Sequence, residues 1–225
     1  MSVERRRIYL MRHAQVRYFE GVHPREVLLT DAGREQASAA REALRDVPFD
    51  RVVTSGLPRT LETARIVAPY AEVEGVEALR EIESGELRGL DTAVVQEMMT
   101  AAFAHAVTLD TRFLGGETYG ELCDRVLPEL DAVLDDADWD VLLLVLHGAV
   151  NRVLLSRALT GTRSFLAGFE QAPRCINVLD VDEERRFVVR AVTHTPYDPA
   201  HTAASRETTM ERLWQEYLDA RSRRT

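Results

Sequence analysis

Val141-Leu142-Leu143-Leu144-Val145-Leu146 is an unbroken run of six apolar side chains, closed at once by His147-Gly148. It is far shorter than the ~18 apolar residues that a membrane span needs. It therefore reads as a strand buried inside a sheet. The segments around it alternate. Ile8 to Met11, Phe49 to Thr54, Val73 to Leu79 (interrupted by Gly75) and Asp140 to Leu146 read as strands. Helices are expected from Thr30 to Leu44, with Thr30 as cap, and from Pro58 to Ala68, with Pro58 at the first helical position. Further helices are expected at Val94 to Ala106, Glu117 to Leu134 and Ala149 to Leu159. Cys175 to Val181 and Phe187 to Val192 read as a hairpin, and Glu207 to Arg221 as an exposed amphipathic helix. This alternation predicts an α/β fold, a three-layer α/β/α sandwich with a mainly parallel central sheet. Residues 1–225 are expected to form one domain, with a lid or insertion at about 86–116 and a C-terminal helical extension at about 196–225.

Composition narrows the chemistry. All 28 basic residues are arginine, since the chain has no lysine. That excludes a Schiff-base lysine and the lysine-dependent grip of a P-loop. Any phosphate must be held by arginine and histidine. A net charge of −9 argues against a nucleic-acid surface. Cys123 and Cys175 are the only cysteines, so neither a disulfide framework nor a cysteine zinc site is expected. The start, Met-Ser-Val-Glu-Arg-Arg-Arg, is unlike a signal peptide, and no membrane partner is expected; the expected location is cytoplasmic.

Three strands end alike, in Arg12-His13, Thr54-Ser55 and His147-Gly148. In open α/β sheets ligands bind beyond the carboxyl ends of strands. Taken singly, each residue has a bland reading: Arg12-His13 as a surface pair, His147 as a structural histidine, Arg59 as a solvated side chain. Of Glu81 and Glu83, one reads as a surface charge. Taken together, two histidines, two arginines and an acid make a phosphate pocket with a nucleophile and a proton donor.

The ordered motifs carry a resemblance. They are Leu10-Met11-Arg12-His13-Ala14, Leu29-Thr30-Asp31-Ala32-Gly33-Arg34-Glu35-Gln36-Ala37, Thr54-Ser55-Gly56-Leu57-Pro58-Arg59-Thr60-Leu61-Glu62-Thr63-Ala64, Leu79-Arg80-Glu81-Ile82-Glu83-Ser84-Gly85-Glu86-Leu87-Arg88-Gly89, Gly115-Gly116-Glu117-Thr118 and Leu146-His147-Gly148. Across residues 6–194 the sequence resembles the histidine phosphatase superfamily, with its phosphoglycerate mutase-like fold. The resemblance implies a metal-independent phosphatase, with no cofactor and a small phosphoester as partner. His13 would become phosphohistidine. Arg12, Arg59 and His147 would hold phosphoryl oxygens. Glu81, four residues before Gly85, matches the family's acid in preference to Glu83.

Departures from the pattern favour hydrolysis over the mutase reaction. Ala14 replaces the commoner glycine. Phe19 stands where the mutase branch carries asparagine. The insertion offers only Arg88 and Arg112 as cations. Its apolar residues favour a small or partly apolar phosphoester. The alternatives are a cofactor-dependent phosphoglycerate mutase and a non-catalytic module that binds phosphorylated ligands. Gln15, Arg17 and Tyr18 are candidate substrate contacts, and Glu117 is either a site residue or an ordinary helix start. His194 reads as structural, His23, His105 and His201 as surface residues, and Met98-Met99 as packing.

Overall fold

Six strands form one sheet in the computed structural model, which describes residues 4–104, 107–196 and 206–223. They are β1 (Arg6–Arg12), β2 (Arg51–Thr54), β3 (Val73–Gly75), β4 (Val141–Leu146), β5 (Ile176–Val181) and β6 (Phe187–His194), in spatial order β3-β2-β4-β1-β5-β6. The pairs β2–β3, β2–β4 and β1–β4 are parallel. The expected hairpin adds the antiparallel pairs β1–β5 and β5–β6.

Side chains alternate across the central strands. Ile8, Leu10, Leu142, Leu144 and Leu146 pack into one cluster with Leu122, Val126, Val150 and Val153. Met11, Leu143 and Val145 pack into another with Ala40, Ala64 and Val67. A sheet that is apolar on both faces needs a cover on each. The helices α1 (Asp31–Ala43) and α2 (Pro58–Val67) cover one face, and α4 (Tyr119–Asp135) and α5 (Gly148–Thr160) cover the other. This is the expected three-layer sandwich. Between the layers' helices lies α3 (Thr92–Ala101) in sequence, and the chain's last helix is α6 (Thr209–Ser222).

Thr30 caps α1, its side chain accepting from Gly33 N at 3.0 Å. A Cβ on Gly33 would stand 2.3 Å from Gln15 O, so only glycine lets α1 press against the segment that leaves β1.

Three expectations change. The strand predicted to reach Leu79 stops at Gly75, because β2 has already ended opposite it at Thr54. A 3-10 turn, Glu77–Leu79, then buries Leu79 in the core. The helix predicted over Val94 to Ala106 begins earlier, at Thr92, where the Asp91 side chain accepts from Ala93 N at 2.8 Å. It ends at Ala101, and residues 105–106, including His105, lie outside the described residues, as does His201. The C-terminal helix is not simply exposed. Met210 and Ala220 are buried, while Leu213, Trp214 and Tyr217 pack on the main core. Cys123 and Cys175 are free and buried. Among the described residues no helix is long and apolar enough to cross a membrane.

Candidate active site

The parallel pairing of β1 with β4 sets Arg12 opposite Leu146, and His13 N extends the ladder by donating to Leu146 O at 2.9 Å. The two following histidines therefore meet, the His13 and His147 rings lying 5.3 Å apart between centroids. From β4 the chain crosses through α5 to β5 on the other side of β1, so this crevice is where strand order reverses.

His13 is 1% exposed. Its Nδ1 faces Ala14 O at 2.8 Å. A carbonyl only accepts, so Nδ1 carries the proton and Nε2 the lone pair. Nε2 is buried with no hydrogen-bond partner among the described residues. Burial, then the charges of Arg59 and Arg12, hold the His13 pKa well below its ordinary 6.5. The imidazole is neutral and its free nitrogen is nucleophilic.

Arg12 closes β1. Its Nη1 donates to Gln171 O and to Thr209 Oγ1, the latter at 3.1 Å. Arg59 stands in the first turn of α2, where unpaired backbone N–H groups already favour anions. Its Nη1 donates to Pro24 O at 2.9 Å, and its Nη2 faces His147 Nδ1 at 3.5 Å. The Nε atoms of both arginines are buried without a partner among the described residues.

His147 is fully buried and caps α5 with its backbone. Guanidinium never accepts, so Nδ1 accepts from Arg59 and Nε2–H donates to Ser55 Oγ at 2.7 Å. The Ser55 hydroxyl in turn donates to Thr60 Oγ1 at 3.1 Å, which donates to Leu57 O at 2.8 Å. Burial and neighbouring cations, Arg59 first, push the His147 pKa well down.

A helix leaves its first N–H groups unpaired. Glu81 fills two of those of α5: Oε2 accepts from Gly148 N at 2.9 Å, and Oε1 from Ala149 N at 3.1 Å. A Cβ on Gly148 would lie 3.5 to 3.7 Å from Arg152 Nη1, Glu81 Oε2 and the Arg12 guanidinium carbon, so the acid and the cations share one small space. Arg125 of α4 fixes the Glu81 loop by donating to the carbonyls of Ala78, Arg80 and Glu81. Glu83 instead pairs with Arg25 and Arg80, which hold its carboxyl below the usual range.

A cavity of about 1250 Å³ opens over Arg12, His13, Arg59 and Glu81. Gln15 and Tyr18 line it as expected; Arg17 and Glu117 do not. Arg17 points outward to Glu20. Glu117 is bound by Arg125 at 2.7 and 2.9 Å, so it neutralises the cation that holds the Glu81 loop. Beyond the insertion's Arg88, the cavity draws Arg25, Arg80, Arg152 and Arg212 from other elements. Arg112 donates to Gly116 O instead. His23 also lines the cavity, at its exposed edge. Arg152 went unnoticed in the sequence, although it stands one turn after Gly148. It donates to Gly148 O and Ala167 O, lies 4.0 Å over the Phe103 ring, and burial lowers its pKa to about 10. Among the described residues no three His, Cys, Asp or Glu side chains are grouped to share a metal ion.

Comparison with known proteins agrees with this geometry. "Probable phosphoglycerate mutase GpmB" of Salmonella paratyphi A is 29% identical over 207 residues, covering 88% of this chain and 95% of that protein. The alpha-ribazole phosphatase of Shigella flexneri superposes with a TM-score of 0.67 at 24% identity, over 83% of this chain and 96% of its own. Mycobacterial glucosyl-3-phosphoglycerate phosphatase Rv2419c superposes at 0.69 and 23%, over 84% and 99%. Those two likenesses show the fold. The family model of the histidine phosphatase superfamily, branch 1, matches residues 8–194. The chain is an enzyme of that superfamily.

Proposed function

We propose that this protein is a phosphomonoesterase that works through a phosphohistidine, with arginines rather than a metal ion stabilising the transferring group. The observation that carries the reading is His13: a neutral ring, one nitrogen pinned by Ala14 O, the other unpartnered and flanked by Arg12 and Arg59. His13 Nε2 attacks phosphorus, and the P–O bond to the alcohol breaks. The Glu81 carboxylic acid gives its proton to the departing oxygen. Its carboxylate then takes a proton from water, which attacks phosphorus and breaks the P–N bond, returning His13 with its lone pair. Fixed guanidinium groups suit the charge that spreads over the equatorial oxygens.

His147 is buried beside Arg59 and contacts its guanidinium. The bond from Nε2–H to Ser55 Oγ fixes the orientation of the His147 ring beside Arg59.

The name of the Salmonella relative favours a second reading, phosphoglycerate mutase. A mutase must grip a second anionic group beyond the phosphoryl site. Here Phe19 packs against Tyr217, Arg25 and Arg80 are taken by Glu83, Arg152 by backbone carbonyls, and Arg112 is turned away, which leaves Arg88 and Arg212 as the cavity cations that a mutase could use. Incubation with 3-phosphoglycerate, with and without a bisphosphoglycerate primer, separates the two. Free phosphate is expected to form first; faster appearance of 2-phosphoglycerate rejects the phosphatase reading. His13→Ala should lower turnover by about 10⁴ or more, and rapid quenching of the unaltered enzyme with radiolabelled substrate should trap label on protein. A mutant that keeps a tenth of the activity overturns the assignment of the nucleophile.

A further inference from the structure

The family match ends at residue 194, and α6 lies beyond it. Even so, α6 touches the segment Arg12 to Phe19 at three successive points. At its first turn, fixed by a capping box of Thr208 and Glu211, Thr209 Oγ1 accepts from Arg12 and donates to Glu170. Two turns later Glu216 Oε2 accepts from Tyr18 N at 3.2 Å. Beside it, the Tyr217 ring meets Phe19 edge-on at 5.5 Å between centroids. Phe19 has φ +63°, a left-handed conformation that a bulky residue keeps only when its surroundings hold it. Met210, Leu213 and Glu216 line the cavity between these anchors.

The cavity wall is chemically mixed. Besides Arg12, His13 and Arg59 it carries the apolar Phe19, Leu87, Phe103, Met210 and Leu213, together with further arginines. The volume of about 1250 Å³ far exceeds one phosphoryl group and suits a large organic group as well. Burial also raises the Glu216 carboxyl above its usual range.

We infer that α6 is the leaving-group wall of this active site, and that Met210 and Leu213 select phosphomonoesters of bulky, largely apolar alcohols. This rests on the phosphatase reading. An apolar surface discriminates by the area it covers in the transition state, so a large ring system gains where a compact polar alcohol does not.

The test compares kcat/KM for 1-naphthyl phosphate and for glycerol 3-phosphate, together with inhibition by orthovanadate, in the full chain and its variants. The unaltered enzyme should prefer the naphthyl ester. Leu213→Asp should lower the naphthyl-to-glycerol ratio by about tenfold or more, and Leu213→Ala by a smaller factor in the same direction. Gln215→Ala, on the exposed side of α6, should leave the ratio unchanged. Vanadate should still inhibit both Leu213 variants. Equal losses on both esters, an unchanged ratio, or a native preference for the glycerol ester would each overturn the assignment. An unaltered enzyme that hydrolyses neither ester and ignores vanadate would defeat the phosphatase reading, and this one with it.

Discussion

In the proposed reaction a histidine attacks phosphorus through one nitrogen, and the carbonyl of Ala14 leaves Nε2 as the one His13 offers. Because a backbone oxygen does this, alanine serves at that position as well as glycine would; its methyl is fully buried and Ala14 N is held by Thr63 Oγ1. The choice between Glu81 and Glu83 follows the same kind of local accounting. Glu81 spends its oxygens on backbone N–H groups beside Arg12, whereas Glu83 is locked as an anion between two arginines at the surface. Glu81→Gln should therefore slow an alkyl phosphate by about 10²–10⁴ and a nitrophenyl phosphate far less, since only the alkoxide needs a proton to leave. Glu83→Gln should not alter that ratio; leaving-group dependence at Glu83 alone would move the acid two residues along. Arg12, His13, Arg59 and His147 could be picked out as candidates in the sequence because each closes a strand or opens a helix, and the fold brings them together. Glu117 and Arg17 stand outside the cavity lining, because adjacency to a motif says nothing about where a side chain turns, and their ion partners Arg125 and Glu20 decide that.

Among the elements, α6 shows how a visible pattern can leave its partner invisible. Met210, Leu213, Trp214 and Tyr217 recur at the spacing of one helical face, and Thr208 with Glu211 marks the start. That stripe announces burial against something, but only the folded chain shows that the something includes Phe19 and the cavity. The short β3 was misread for a related reason: its length is set by β2, its neighbour, and not by its own residues. The contact between Thr209 and Arg12 carries a prediction. Thr209→Val keeps the shape and loses the hydroxyl, so vanadate should bind about fivefold more weakly and KM should rise for compact and bulky esters alike. Thr209→Ser should restore both. Failure of the serine to rescue would reduce the contact to packing.

At the scale of the molecule, alternation of strand and helix was enough to predict the sandwich, because two-faced burial of β1 and β4 leaves no other cover. The same burial makes stability depend on pH. His13 and His147 stay neutral in the folded chain below the ordinary 6.5, while in the unfolded chain they take up protons near it. Their contribution is complete above pH 6.5 and falls as pH drops beneath it, each with a slope of about 1.4 kcal/mol per pH unit. Urea unfolding between pH 7 and pH 5 should show this loss, and His13→Gln should remove one proton's share of the slope. Stability that stays flat over that range would refute the buried, neutral pair.

The pairing of β1 with β4 also bears on how the molecule is made. The strand that leads into His13 is synthesised well before the strand that completes its site, which does not emerge until Leu146 has been added. Until then β1 lacks its parallel neighbour, and a chain stopped before Val141 cannot bring His147 beside His13 whatever else it folds. Long-range parallel pairings close slowly and leave apolar edges open to other chains meanwhile. The site is thus complete only once β1 and β4 are both present, and a fragment that stops before Val141 is expected to be inactive.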